Sequence, residues 1–302
     1  MKISLGPIPY HWEPARIKQF YREVADLPLD IVYLGETVCS KRRPLHWDAW
    51  CQIAEQLTAA GKETVFSTLA LSEAESELAA LGRITGNGYW RVEANDMAAV
   101  YLLAHSSFVI GPHINIYNDR ALAFLHGLGG SRWVVPVEIG QHQLEHILRQ
   151  RPAGMQTEVI AFGRLPLAFS ARCFSARAHD RGKDECDFIC GDYPDGLSLN
   201  TRNGDPFLHI NGIQIQSART HNLIAHLEEL QGIGVDIIRV LPQLNGIREI
   251  IPAFRHVLDG TITPQQGMQQ LALFQTTGFS DGYWRQQAGM DWREIKGPEN
   301  LR

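Results

Sequence analysis

Residues 3–36 run ISLGPIPYHWEPARIKQFYREVADLPLDIVYLGE. A short apolar run, ISLGPI, reads as a strand. An amphipathic stretch at 14–25 reads as a helix, and DIVYLGE (30–36) as a second strand. The same alternation continues downstream. HWDAWCQIAEQLTAAGK (46–62) is a helix that ends at Gly61, and ETVFSTLA follows as a strand. SEAESELAALGRI is a helix with Ser72 as N-cap and Glu75 three residues on, the pattern of a capping box. GYWRVEAND, a helix near 96–105, SFVIGPHIN, a helix near 119–127, RWVVPVEIG and a helix near 141–150 complete six strand–helix units within 150 residues. Regular alternation of buried strands with helices implies a parallel sheet covered on its faces. Six units with more to follow favour a closed (β/α) TIM-like barrel over an open doubly wound sheet.

The second half is less regular. TEVIAFGRLPLAFSA (157–171) reads as a strand running into a bend at Pro166. Residues 172–203 are polar and rich in Gly and Asp, and read as an irregular insertion, a kind of segment that is usually functional or disordered. PFLHINGIQIQSA resumes as strand, HNLIAHLEELQGIG is a helix, VDIIRVLPQ a strand and 245–259 a helix. TPQQGMQQLALFQ (263–275) is a helix with Thr263 as N-cap and Pro264 at its first position. The expected organisation is a barrel domain over 1–260, carrying the cysteine-rich insertion at 172–203, and a short C-terminal helical extension over 261–302. There is no fixed-period repeat.

The 302 residues, 44% hydrophobic and 20% charged, match one large α/β barrel. No stretch approaches the roughly 20 uninterrupted apolar residues of a bilayer span, and the N-terminus lacks the apolar run of a secretory signal. A net charge of −5 argues against a DNA partner, whose phosphates call for a basic surface. A cytoplasmic protein is expected. There thiols stay reduced, and clustered cysteines point to a metal or to catalysis.

Three of the five cysteines, Cys173, Cys186 and Cys190, fall in the insertion, with Cys186 and Cys190 in C-x₃-C spacing. Cys39 lies at the C-terminal end of the second strand, the end where functional loops of a barrel gather, so it can meet the other three across the barrel mouth. Cys51, in the middle of a helix, reads as a small buried hydrophobe. Four thiolates suit either a zinc ion or an iron–sulfur cluster. Lys41, Arg42 and Arg43 follow Cys39, and Arg172, Arg177, Arg181 and Lys183 surround Cys173 and Cys186. These cations are expected to keep the thiols ionised, with Phe174, Phe188 and Ile189 shielding the sulfurs.

HQLEH (142–146) matches the H-x-x-E-H pattern of zinc proteases. However, Leu144, Ile147 and Leu148 form the buried stripe of that helix and place His142 and His146 on its solvated side. GNGYW (86–90) and GLGGS (127–131) lack the spacing of a dinucleotide-binding loop and read as turns. Glu36, His113, Asn115 and Glu138 sit at C-terminal strand ends and are expected to project into the barrel mouth as substrate-binding residues. No catalytic triad or Cys-His signature is present.

EVIAFGRLPLAFSARCFSAR (158–177) resembles the signature region of the collagenase-like peptidase superfamily, in which a Glu-Val strand leads through a glycine to a Ser-Gly-Arg-Cys turn. Glu158, Val159, Gly163, Ser170, Arg172 and Cys173 stand at matching positions. Pro166 stands where most relatives have a cysteine, Ala171 replaces their glycine, and no cysteine follows Cys190. With Cys39 supplying the missing ligand, the chain is similar over nearly its whole length to the branch of the superfamily that serves ubiquinone biosynthesis. That resemblance implies a barrel and one [4Fe–4S] cluster on Cys39, Cys173, Cys186 and Cys190. It also implies a heterodimer with a UbiU-like sister protein. The implied activity is oxygen-independent hydroxylation of a prenylated aromatic ubiquinone precursor during anaerobic growth, with prephenate as oxygen donor. Two other activities come with the superfamily: RNA hydroxylation, which the net charge counts against, and peptide hydrolysis, for which Cys173 has no evident base.

Overall fold

The computed structural model describes residues 1–293. Seven parallel strands, β1 (Lys2–Leu5), β2 (Ile31–Leu34), β3 (Glu63–Ser67), β4 (Arg91–Ala94), β5 (Phe108–Ile110), β6 (Gly130–Val134) and β7 (Gln156–Gly163), pair each with the next. The chain then makes a long excursion. It comprises β8 (Pro166–Phe169), β9 (Leu197–Asn200), β10 (Pro206–Asn211), β11 (Gln214–Ser217) and β12 (Thr220–Asn222). Finally β13 (Ile237–Val240) slots in parallel between β7 and β1 and closes an eight-stranded barrel. The expected barrel is therefore observed. The C-terminal residues add a helix and a two-residue strand, β14 (Phe279–Ser280), which pairs with β12.

The outer helices follow from their patterning. α1 (Pro14–Ala25) opens on proline and buries Ile17, Phe20, Tyr21 and Val24, one face at helical spacing. α2 (Trp47–Ala59), α3 (Glu75–Thr85), α4 (Met97–Leu103), α5 (Asp119–Gly127) and α6 (Gln141–Leu148) complete the first six units. One cap differs from expectation. α3 starts at Glu75, not after Ser72, and Glu77 reaches back to accept from the N–H groups of Glu73 (2.6 Å) and Ala74 (3.2 Å). The carboxylate that caps this helix is two residues downstream of the expected one, because Glu77 is the acid that faces those orphan donors.

The segment 172–203 is more ordered than an irregular loop. β8, β11, β10 and β9 form a four-stranded antiparallel sheet, with α7 (Phe174–Arg177) and two 3₁₀ turns packed on it. PFLHINGIQIQSA is a hairpin of this sheet, turned at Gly212, and not a barrel strand. The predicted helix at 221–234 is cut to a 3₁₀ turn and α8 (Leu227–Gly232), because Thr220–Asn222 is strand. α9 (Ile247–Leu258) follows β13, and α10 (Pro264–Leu271) carries the expected Thr263 cap, which accepts from Gln266 N. Part of the 261–302 extension, residues 294–302, lies outside the described residues.

The strand faces differ sharply in chemistry. Outward residues such as Val32, Phe66, Trp133 and Ile238 join one apolar layer under the helices. The inward face mixes a smaller apolar cluster of Ile31, Tyr33, Val65, Val109, Val134, Ile160 and Ile237 with charges. Arg239 on β13 pairs with Glu158 on β7 (2.7 Å) and Glu93 on β4 (2.8 Å). The Tyr33 and Ser4 hydroxyls donate to Glu158, each at 2.6 Å. Below them Arg132 on β6 reaches Glu63 on β3 (2.8 Å). Burial alone raises the Glu158 pKa, but Arg239 and Arg132 outweigh it and hold the carboxyl below its usual range. Glu158→Ala leaves Arg239 with Glu93 alone and takes from the Tyr33 and Ser4 hydroxyls their acceptor, and breaking a buried pair costs about 3–5 kcal/mol. Urea unfolding of the variant is expected to show that loss; a loss under 1 kcal/mol, on the order of an exposed pair, contradicts the network's structural role.

Candidate functional site

The excursion leaves the barrel at Gly163, whose φ of +120° and a Cβ position 2.6 Å from Leu241 Cβ admit only glycine. The chain crosses the C-terminal mouth, where Gln214 and Gln216 of β11 and Arg164 cover the polar strand ends. Beneath this roof only about 40 Å³ remains, lined by Glu93, Asn95, His113 and Arg239 among others.

The loop after β2 is locked onto this roof. Arg42 is buried (2% exposed). It donates to the Pro9 carbonyl (2.8 Å) and to Asn211 Oδ1 (2.9 Å), joining the β1–α1 loop to the insertion hairpin. Gly212, with φ +65°, is the turn residue there. A Cβ would stand 2.7 Å from Arg42 Nη2, so glycine is what lets the guanidinium in. On the other side Lys41 donates to the Lys183 carbonyl and pairs with Asp184, and Lys183 pairs with Glu73. The loop carrying Cys39 is thereby held against the segment carrying the other three cysteines. Cys173 caps α7, its sulfur accepting from Ala176 N at 3.4 Å, while Phe174 N donates to the Gly212 carbonyl. Arg42 lies beside Cys190 and within electrostatic reach of Cys39.

All five cysteines are free thiols. Among the described residues, no three His, Cys, Asp or Glu side chains converge closely enough to grip a metal ion. The donor chemistry around Arg42 nonetheless suits an anionic sulfur group, because its Nε–H is buried and has no acceptor among the described residues. The ionisation expected of the thiols is not favoured at Cys39 or Cys190. Burial pushes the Cys39 and Cys190 thiols up, and Arg42 offsets this only in part. The other cations are engaged elsewhere: Arg181 pairs with Asp187 at 2.6 Å, and Arg172 and Arg177 are exposed. Phe188 stacks on His11 (centroids 5.1 Å apart) and stays 44% exposed, so it is an incomplete shield. Cys51 is partly exposed, outside the Ile53, Ala54, Leu57 stripe of α2 and so not the buried hydrophobe expected.

The four expected substrate residues separate into two places. His113, Asn115 and Glu138 share a cavity of about 350 Å³ between the ends of β5 and β6 and strand β8. Glu36 faces a different one, between α2, α3 and the Cys39 loop. The mouth does not collect all four, because Glu36 faces α2 and α3 on the outer side of the strands, beside Phe66. Glu36 Oε1 accepts from Val38 N (2.8 Å) and Cys39 N (3.1 Å), bracing the cysteine loop. Burial raises its pKa to about 7, against the opposing pull of Arg42 and those N–H groups.

The model of peptidase family U32 matches residues 12–294. The chain belongs to that family. Among solved structures, this U32 chain is similar to the U32 peptidase Mk0906 (12% identity, TM-score 0.45, covering 80% of this chain and 93% of that one). It is also similar to a variant O-GlcNAc hydrolase of Thermobaculum terrenum (14%, 0.40, covering 90% and 62%). In the U32 chain HQLEH lies on α6 with Leu144 and Ile147 buried and His142 and His146 exposed, as the helical stripe implies, and Glu145 pairs with Arg149 (2.7 Å). Sequence reasoning did not single out the inner charges or the role of Arg42. Their signal was one charged residue inside each of several apolar strands, and a basic residue three positions after a cysteine.

Two predictions follow from these buried polar groups. Arg42→Ala removes the two hydrogen bonds that fasten the Cys39 loop to Pro9 and Asn211, which stay joined only by Asn211 Nδ2 donating to the Pro9 carbonyl (2.8 Å), and leaves the buried Asn211 Oδ1 unpaired, about 1–3 kcal/mol for that group. Limited proteolysis is expected to cut the 171–219 excursion several-fold faster while the barrel persists; unchanged cleavage contradicts the tie. Burial also lowers the pKa of His113 to about 3, and of His209 and His221 to about 4. These rings are neutral when folded and protonate on unfolding below pH 6.5. Stability is therefore complete above about 6.5 and falls as pH drops toward the folded values, by up to about 1.4 kcal/mol per pH unit for each histidine. Chemical denaturation between pH 7.5 and 4.5 measures the slope, and a flat profile contradicts it.

Proposed function

We propose that this U32 chain is the iron–sulfur subunit of an oxygen-independent hydroxylase of anaerobic ubiquinone biosynthesis, a protein of the UbiV kind. In this reading it works in the cytoplasm as a heterodimer with a UbiU-like sister protein. It acts on a prenylated aromatic precursor, with prephenate as oxygen donor. Family membership and the matched signature residues support the superfamily. The observation that carries the cluster assignment is the tie made by Lys41 and Arg42, which brings the Cys39 loop onto the segment bearing Cys173, Cys186 and Cys190.

In this proposal the four thiolates hold a [4Fe–4S] cluster, which supplies one-electron chemistry when bound. The chain's own groups then have definite tasks. The Arg42 Nε–H donates to the anionic sulfur set, Glu36 holds the Val38 and Cys39 amides in place, and the 188–191 turn against His11 limits water on one side. His113, neutral through burial, offers hydrogen bonding without charge beside Asn115 and Glu138. Peptide hydrolysis, the activity in the family's name, is the second reading. Against it, Cys173 Sγ accepts from the Ala176 backbone amide, and no histidine hydrogen-bonds to it among the described residues.

Anaerobic purification tests the proposal. A brown protein with about four iron and four sulfide per chain is expected. Cys→Ala changes at 39, 173, 186 and 190 are expected to lose the colour, and Cys51→Ala to keep it. A colourless, zinc-loaded preparation ends the proposal.

A further inference from the structure

Beyond α10 the chain folds back on the barrel, and one histidine joins it there. Phe279 and Ser280 form β14 beside β12, and the chain then passes the start of α6, where Gln141 N donates to the Trp284 carbonyl (2.9 Å). His226, the last residue before α8, stands between this segment and the barrel. Its Nδ1 lies 2.9 Å from Glu229 Oε2 on α8, and its Nε2 lies 3.3 Å from Asp281 Oδ2 in the segment. A neutral imidazole carries one N–H and can donate to only one of these oxygens, whereas the imidazolium donates to both. The same two carboxylates hold the rest of the segment. Glu229 Oε2 also accepts from Trp284 Nε1 (3.1 Å), and Asp281 pairs with Arg285 (3.1 Å) and accepts from Arg293 N (3.3 Å). The other ionisable neighbour of the ring among the described residues, His221 on β12, is kept neutral by burial. Burial opposes the charge on His226, but its hydrogen bonds to Asp281 and Glu229 outweigh that and hold its pKa above the ordinary value. Burial likewise opposes the charge on Asp281, and His226 and Arg285 outweigh it.

We infer that His226 is a pH-sensitive latch: as an imidazolium it clamps residues 279–293 onto α8, and on losing a proton it loosens them. An arginine or lysine in its place would hold the segment at every physiological pH; a histidine makes the hold conditional. A folded-state pKa above the unfolded one means that the clamp is complete below about pH 6.5 and is lost as the pH rises through the folded value. What loosens lies beside a cavity already described. Tyr283 joins Val137 and Leu167 around the inner apolar cluster, and those two line the space that holds His113, Asn115 and Glu138. Tyr283 is also within electrostatic reach of Glu138. The latch therefore sets how firmly one side of that cavity is backed, and it does so independently of any cluster on the cysteines.

Hydrogen-exchange mass spectrometry of the full chain at pH 6.0 and 8.5, with each rate corrected for the intrinsic pH dependence of amide exchange, tests this. Peptides within 279–293 are expected to exchange at least fivefold faster at the higher pH, while peptides of α9 keep their protection. His226→Gln carries no charge and cannot donate to both carboxylates from ring nitrogens. Its segment is expected to exchange fast already at pH 6.0 and to change less than twofold between the two. Glu229→Gln keeps an acceptor for Trp284 but removes one of the charges that hold the proton. It is the second variant if the first does not fold by circular dichroism, and is expected to move the loosening to lower pH. Equal protection of the wild-type segment at both pH values overturns the latch, and so does a pH response that survives unchanged in the variant. A loss of protection shared equally by α9 reports opening of the barrel and overturns it as well.

Discussion

The Arg239–Glu158 pair spans the seam where the barrel closes, between β13 and β7, and the rest of the molecule is arranged around that buried contact. Those two strands are separated by the whole excursion, so the last strand has to find its place among seven already paired. Apolar side chains would accept several registers. A guanidinium that must meet Glu158 on one side and Glu93 on another accepts far fewer. A buried ion pair adds little net stability over an apolar one, but an unpaired buried charge is so unfavourable that misaligned closures are disfavoured. Tyr33 supports the pair twice: its hydroxyl donates to Glu158, and its ring lies 3.9 Å under Arg239.

A charged barrel interior has a structural consequence at its open end. The polar column of Glu158, Arg239 and Glu93 rises to the C-terminal strand ends, where water or protein must complete its hydrogen bonding. Here the excursion covers that end, with Gln214, Gln216 and Arg164 laid over the mouth, while Arg239 Nη2 and Glu93 Oε1 have no hydrogen-bond partner among the described residues. A second buried arginine fastens that roof. Arg42 uses the Pro9 carbonyl and Asn211 to join two loops from opposite ends of the sequence, and in doing so sets Cys39 beside the cysteine segment. The two arginines have separate tasks, one closing the barrel and one seating its lid, and Gly163 and Gly212 are the backbone positions that permit each.

Much of the scaffold was legible because its signals are local. The helices at 14–25 and 119–127 and the Thr263 cap follow from the apolar stripe, from Pro at the first helical position and from the capping residue. What escaped depends on contacts between distant residues. The side chains of Arg132 and Arg239 look like strand interruptions until their partners on β3, β4 and β7 are in view. The excursion looks irregular because its sheet pairs strands of four to six residues of weak pattern, held by the hairpin at Gly212. The capping role passed from Ser72 to Glu77 because the chain enters α3 two residues later than the motif implies. Cys51 turned outward by one step of the helical wheel. The four substrate candidates follow strand ends, but Glu36 turns outward to α2 and α3, away from His113, Asn115 and Glu138, an orientation set by packing between distant elements.

In many barrels the axis of the mouth is the reaction site, but here the space there is reduced to about 40 Å³, room for little more than a water molecule or two. An aromatic substrate cannot be accommodated on the axis without displacing the roof, and displacing the roof would expose Arg239 and break the seating of Arg42. Ligand-sized spaces lie instead away from the axis, one beside Glu36 and the Cys39 loop, one beside His113 and Glu138, and one between α6 and residues 284–293. The thiols sit at the edge of the lid, in surroundings that leave those of Cys39 and Cys190 protonated until something stronger than a guanidinium draws off the proton. A coordinated metal does that outright. The same burial keeps the free thiols unreactive, and the cysteine loop, braced by Glu36 on its inner side, is the element through which one flank and the cysteine segment are mechanically joined.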